Sequence, residues 1–134
     1  MNEPTATACR LMVIDDEAIV GKRLKQVFNK AGFTVEAFTD PVAAMQAMAE
    51  APFDIVVTDL KMEPLDGIEV LNKTKAVNPA CRVIVITGYA STETAALARD
   101  QGVFSFLAKP FRLDELKQII SEALASIEKE RQNG

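Results

Sequence analysis

Five polar residues stand at or just after the ends of short apolar runs. Asp15 and Asp16 follow Arg10-Leu11-Met12-Val13-Ile14, Asp59 closes Phe53-Asp54-Ile55-Val56-Val57-Thr58, Thr87 follows Arg82-Val83-Ile84-Val85-Ile86, and Lys109 comes just after the run from Val103 to Leu107. Taken singly, each has a plain reading. An acid after a strand is a helix cap, a threonine there is a turn residue, and a lysine is a solvated surface charge. Taken together they describe chemistry. Carboxylates gathered in one crevice repel each other, and a cation must offset the cost. A hard ion suits an all-oxygen ligand set in a chain without histidine, so Mg²⁺ is the first choice. A bound metal with a lysine and a threonine beside it is also a clamp for a phosphoryl group. An aspartate can attack phosphorus and carry the group as an acyl phosphate. Asp59 ends the most central of these runs and is the expected acceptor.

These residues meet only if the intervening chain places them at one edge. The runs are continuously apolar, as strands buried on both faces are. Between them lie helical patterns. Val20, Leu24, Val27, Phe28 and Ala31 share one face of the first helix, and Gly32 ends it. Asp40-Pro41 opens the second helix, whose inner face holds Ala44, Met45, Met48 and Ala49. The third runs from Gly67 to Val77, with Ile68, Val70, Leu71 and Val77 apolar, and Asp66-Gly67 reads as a turn or a cap for it. A fourth, Thr92 to Gln101, is rich in alanine, and the last begins near Leu113. Phe33 to Phe38 alternates apolar and polar residues, which suits a strand near the sheet edge. Strand and helix alternate five times without a hairpin signal. This predicts an α/β fold with one doubly wound, five-stranded parallel sheet, helices on both faces and strand order 2-1-3-4-5. Such sheets bind ligands at the carboxyl ends of their strands, where the order reverses. That point lies between the first and third strands, beside Asp15, Asp16 and Asp59.

The chain has 134 residues, enough for one domain with a core of its own. A flexible leader is expected over 1–9, the folded domain over 10–128 and a polar tail over 129–134. A net charge of −4 argues against the positive face that nucleic acid or an anionic membrane requires. No apolar run approaches the ~20 residues that span a bilayer, so a cytoplasmic protein is expected. Cys9 and Cys81 precede the second and fourth strands across the sheet. They are therefore about 9–10 Å apart at the usual strand spacing, too far for a disulfide, which needs Cα atoms within ~7 Å.

The motifs Val13-Ile14-Asp15-Asp16-Glu17, Asp59-Leu60-Lys61-Met62 with Asp66-Gly67, Thr87-Gly88-Tyr89-Ala90 and Phe106-Leu107-Ala108-Lys109-Pro110-Phe111 resemble the receiver domain of two-component response regulators. The resemblance runs from about Leu11 to Ile127 and implies a flavodoxin-like (CheY-like) fold. It also implies roles. Asp59 would be the phosphoacceptor. Asp16 would bind Mg²⁺ directly, Asp15 mostly through water, and the Lys61 carbonyl would complete the protein ligands. Thr87 and Lys109 would hold phosphoryl oxygens, helped by the backbone N–H groups of Lys61 and Gly88. Thr87 and Phe106 would form the switch, and Lys109–Pro110 would be a cis bond.

The donor implied is a phosphohistidine on a sensor histidine kinase or a histidine phosphotransfer protein, which fits a chain with no histidine. The face built from the fourth helix, fifth strand and fifth helix would then act on a downstream output domain or protein, with room for a homodimer on phosphorylation. No reaction on an external substrate is expected beyond the chain's own aspartyl phosphorylation and dephosphorylation. Whether the chain stands alone or belongs to a larger regulator stays open. So do two other uses of such a fold, a flavin-binding module and a phosphorylation-independent interaction domain. The acidic Asp15-Asp16-Glu17 loop argues against the flavin, whose phosphate it would repel. One departure from the family pattern is visible. The proline after the acceptor arrives one place late, in Met62-Glu63-Pro64, although Asp66-Gly67 keeps its usual distance.

Overall fold

The computed structural model describes residues 9–88 and 92–133. Tyr89 and Ala90 of the Thr-Gly-Tyr-Ala motif, and residues 1–8 of the expected leader, lie outside the described residues. The strands are β1 (Arg10–Ile14), β2 (Thr34–Phe38), β3 (Ile55–Asp59), β4 (Arg82–Thr87) and β5 (Ser105–Ala108). The helices are α1 (Ala18–Lys30), α2 (Pro41–Glu50), α3 (Gly67–Val77), α4 (Thr92–Asp100) and α5 (Leu113–Asn133). All pairings are parallel and the order is β2-β1-β3-β4-β5, as the alternation of elements requires.

The continuous apolar character of β1, β3 and β4 has a direct cause. Leu11, Val13, Ile55, Val57, Ile84 and Ile86 point to one face of the sheet, into a layer with Leu24 and Phe28 of α1 and Leu116 and Ile120 of α5. Met12, Ile14, Val56, Val83 and Val85 point to the other, against Ala44 and Met48 of α2 and Val70 and Leu71 of α3. Both faces are dry, so neither set can be polar. The edge strand β2 buries only Val35, which is why its sequence alternates.

The caps follow the local chemistry. The Asp40 side chain accepts from Val42 N at 3.0 Å at the start of α2. Gly32 and Gly102, with φ of 102° and 91°, turn the chain out of α1 and α4. Several apolar residues read as inward-facing lie at helix ends that turn away from the core: Ala31 and Ala49 are exposed, and Val77 is 54% exposed. Cys9, expected in the leader, is buried in the α1/α5 layer, whereas Cys81 is buried in the α2/α3 layer. Both thiols are free.

Helix α5 does not stop at Ile127, its last buried residue. The polar stretch from Lys129 to Asn133 continues the helix. Two of its charged residues reach partners at the base of the sheet. Glu130 pairs with Arg82 at 3.1 Å and Arg131 with Asp54 at 3.4 Å, fastening the helix end to the base of the sheet. No helix among the described residues is long and apolar enough to cross a membrane.

Candidate functional site

The parallel register delivers the carboxyl ends of β1, β3, β4 and β5 to one edge. Asp15 directly follows β1, its N–H bonded to Phe38 O at 3.0 Å. Its side chain is buried, and Oδ1 accepts from Glu17 N at 2.8 Å. Burial raises the Asp15 pKa from its ordinary value. The Glu17 N–H and Lys109 pull it back, while Asp59 and Asp16 push it up. Asp16, one residue on, is exposed.

Asp59 ends β3 and its side chain is 11% exposed. Oδ1 accepts from Leu60 N at 2.9 Å. Lys109 follows β5 directly, and its N–H bond to Thr87 O, 2.7 Å, ties the ends of β4 and β5 together. Lys109 Nζ lies 3.4 Å from Asp59 Oδ2 and 3.6 Å from Asp15 Oδ2. Burial alone disfavours the ammonium, but Asp15 and then Asp59 outweigh it, and the Lys109 pKa lies above the usual lysine value. The charged form is therefore secured.

Asp15, Asp16 and Asp59 each offer one carboxylate oxygen, and these oxygens lie within 4.8 Å of one another. That is the donor set a hard divalent cation takes. Thr87 is wholly buried at the end of β4, beside Ala108 in register. Gly88 follows it, and a Cβ there would lie 3.9 Å from Lys109 Cβ, which places that backbone within the same edge. Phe106 is half-buried on β5 and packs against the α2/α3 layer. The Lys109–Pro110 peptide is cis, as the family pattern implied.

The loop after Asp59 alternates. Leu60 and Met62 are buried, whereas Lys61, Glu63 and Pro64 are exposed. Asp16, Lys61, Met62, Glu63 and Asp66 line its open mouth. The displaced proline forms a second cis peptide, Glu63–Pro64. Asp66 is the N-cap of α3 in a reciprocal capping box. Its carboxylate accepts from Glu69 N at 2.9 Å, and Glu69 accepts from Asp66 N at 3.0 Å. The spacing of Asp66 and Glu69 is a sequence signal for such a box. Glu17 borders a groove of about 490 Å³ beside Lys109, with Val20, Arg23, Leu24 and Phe111.

The chain matches the response regulator receiver domain over residues 11–121. It belongs to that family. Among curated relatives, the transcriptional regulatory protein ZraR of Klebsiella oxytoca is 34% identical over 115 residues, covering 86% of this chain and 26% of the relative. The chain thus spans about a quarter of that protein's length. Among solved structures, a CheY-like receiver domain protein from Methanospirillum hungatei superposes with a TM-score of 0.87 at 27% identity, covering 91% of this chain and 98% of the other. The beryllofluoride-activated NtrC4 receiver domain dimer gives 0.82 at 30% identity, covering 88% and 98%.

Proposed function

We propose that this receiver domain is a phosphorylation switch in which Asp59 takes a phosphoryl group from a partner's phosphohistidine in a two-component phosphorelay. The observation that carries the reading is the Asp59 carboxylate, seated among two further carboxylates with the Lys109 ammonium 3.4 Å away. An Asp59 oxygen attacks phosphorus, the phosphorus–nitrogen bond breaks, and the imidazole leaves with the bonding pair. Asp15, Asp16, Asp59 and the Lys61 carbonyl would hold Mg²⁺, which would supply positive charge to offset the carboxylates and the incoming group. Lys109 and the Thr87 hydroxyl hold phosphoryl oxygens, with the Lys61 and Gly88 N–H groups. Thr87 moves toward the new charge, Phe106 fills the space it leaves, and the α4-β5-α5 face changes.

The donor is a sensor histidine kinase or a histidine phosphotransfer protein. The readout is a downstream output domain or protein, a reading supported by the regulators this chain resembles. Homodimerisation on phosphorylation draws support from the beryllofluoride-activated receiver dimer of similar fold. The switching unit is assigned to residues 10–128, and the cytoplasm is its proposed location. Acetyl phosphate, or beryllofluoride with Mg²⁺, should change the α4-β5-α5 resonances of the wild type and not those of Asp59→Asn. Equal responses in the two proteins would refute the reading.

A further inference from the structure

Gly67 opens α3, and its φ is not positive, unlike Gly32 and Gly102. The need for glycine here is one of space. A Cβ at this position would lie 2.6 Å from Asp59 O, 2.8 Å from Leu60 Cα and 3.3 Å from Asp59 C. These are far inside the ~3.5–4.0 Å of an ordinary nonbonded contact. The first turn of α3 therefore rests directly on the Asp59–Leu60 peptide. Gly67 N–H donates to Leu60 O at 2.8 Å. Leu60 N–H in turn reaches Ile86 O at 2.8 Å and Asp59 Oδ1 at 2.9 Å. The Leu60 backbone thus joins α3, β4 and the acceptor carboxylate.

We propose that Gly67 is a positioning residue for phosphoryl acceptance: its missing side chain lets α3 seat the Leu60 N–H that holds Asp59 Oδ1. The inference rests on the reading of Asp59 as acceptor. Helix α3 has little freedom to retreat from an added methyl group. Val70, Leu71 and Thr74 are wholly buried, and the Asp66–Glu69 box fixes the first turn. The acceptor peptide must then give, and Asp59 Oδ1 moves with it relative to Lys109 and Asp15.

The test compares phosphorylation rates at saturating Mg²⁺ and acetyl phosphate with thermal stability. Gly67→Ala should lose about tenfold to a hundredfold in limiting rate, the scale expected when a reacting group is misplaced by a fraction of an ångström to an ångström. Gly21→Ala is the control for general loosening, since its Cβ would meet only the Ala37 side chain, at 3.2 Å, in the packing of α1 on β2. It should keep its rate despite a lowered Tm. Gly67→Ala at the wild-type rate, or an equal loss in Gly21→Ala, would overturn the proposal. Should Gly67→Ala not fold, Glu69→Ala decides, because it loosens the first turn of α3 without adding an atom. A smaller loss in the same direction supports the proposal, and an unchanged rate overturns it. A wild type no better than Asp59→Asn would instead bring down the acceptor reading itself, and this inference with it.

Discussion

Lys109 Nζ stands 3.4 Å from Asp59 Oδ2, longer than the ~2.7–2.9 Å of a committed charge-assisted hydrogen bond. The reason is a second claim on the same ammonium, Asp15 Oδ2 at 3.6 Å. The cation is shared, and neither carboxylate is fully neutralised by it. Replacing Lys109 with methionine removes the ammonium that these two acids share. In metal-free buffer near neutral pH the substitution should cost about 1–3 kcal/mol, between the values for exposed and buried pairs. Denaturant melts with and without Mg²⁺ check this. Mg²⁺ should recover part of the loss, and a Lys109→Met protein as stable as wild type in EDTA would contradict the charge balance.

Asp15 carries the same conflict into pH dependence. Its folded-state pKa is raised, chiefly by burial, so the folded protein binds this proton more tightly than the unfolded chain does. The stability it contributes is present below the unfolded carboxylate pKa and is lost as pH rises through the folded one. Asp15→Asn, which cannot ionise, should therefore be more stable than wild type at neutral pH without divalent cations. The two should converge as the pH falls into the carboxylate range. Melting curves across that range decide the sign. A variant less stable than wild type at neutral pH in EDTA would show that the Glu17 and Lys109 contacts outweigh the burial.

Mg²⁺ should raise stability through the same acids, since a ligand bound only by the folded state adds free energy by mass action. At a hundredfold excess over its Kd the gain is about 2.7 kcal/mol. Asp16→Asn removes an exposed carboxylate that would hold the ion, and should leave metal-free stability nearly unchanged while weakening the Mg²⁺-dependent gain. A gain equal to wild type in that variant would place the ion elsewhere.

Most of this edge was legible in the sequence because a parallel sheet turns strand ends into a site. β1, β3 and β4 are buried on both faces, so each apolar run marks its own end, and the polar residue that breaks it is the one delivered to the crevice. Gly67 could not be read the same way. Its importance lies in a close approach between α3 and the end of β3, whereas its sequence context, Asp66 with Glu69, announces only a helix start. The contacts at the end of α5 were hidden for a different reason. Glu130 and Arg131 follow Ile127 at helical spacing, but charges leave no apolar signal. Their partners lie 48 and 77 positions away in sequence.

The thiols make a chemical test of the two core layers. Burial is the main cause that pushes both Cys9 and Cys81 up to about 12. At pH 8 roughly one molecule in ten thousand would carry a given thiolate, the reactive form. A thiol reagent should therefore leave the native protein unlabelled over minutes and modify both cysteines in denaturant. Rapid native labelling of Cys9 would mean that the layer between α1 and α5 opens readily.

Arg82 tests whether the charged end of α5 belongs to the fold. Its guanidinium donates from Nε to Ser126 Oγ at 2.9 Å and from one terminal nitrogen to Ala80 O at 2.6 Å and Glu130 at 3.1 Å. Its side chain is only 14% exposed, although Glu130 is 61% exposed. The drier bonds to Ser126 and Ala80 should dominate, and Arg82→Ala should cost about 1–2 kcal/mol. Arg131→Ala removes a pair whose side chains are 57% and 25% exposed. It should cost less than about 1 kcal/mol. Hydrogen exchange separates local from global effects. In Arg82→Ala the amides from Ile127 to Asn133 should exchange faster than the overall loss of stability explains, because no buried apolar residue holds the helix beyond Ile127. Amides of β3 and β4 should follow global stability alone. Unchanged protection at the end of α5 would show that helix propensity, rather than this contact, keeps the last turns in place.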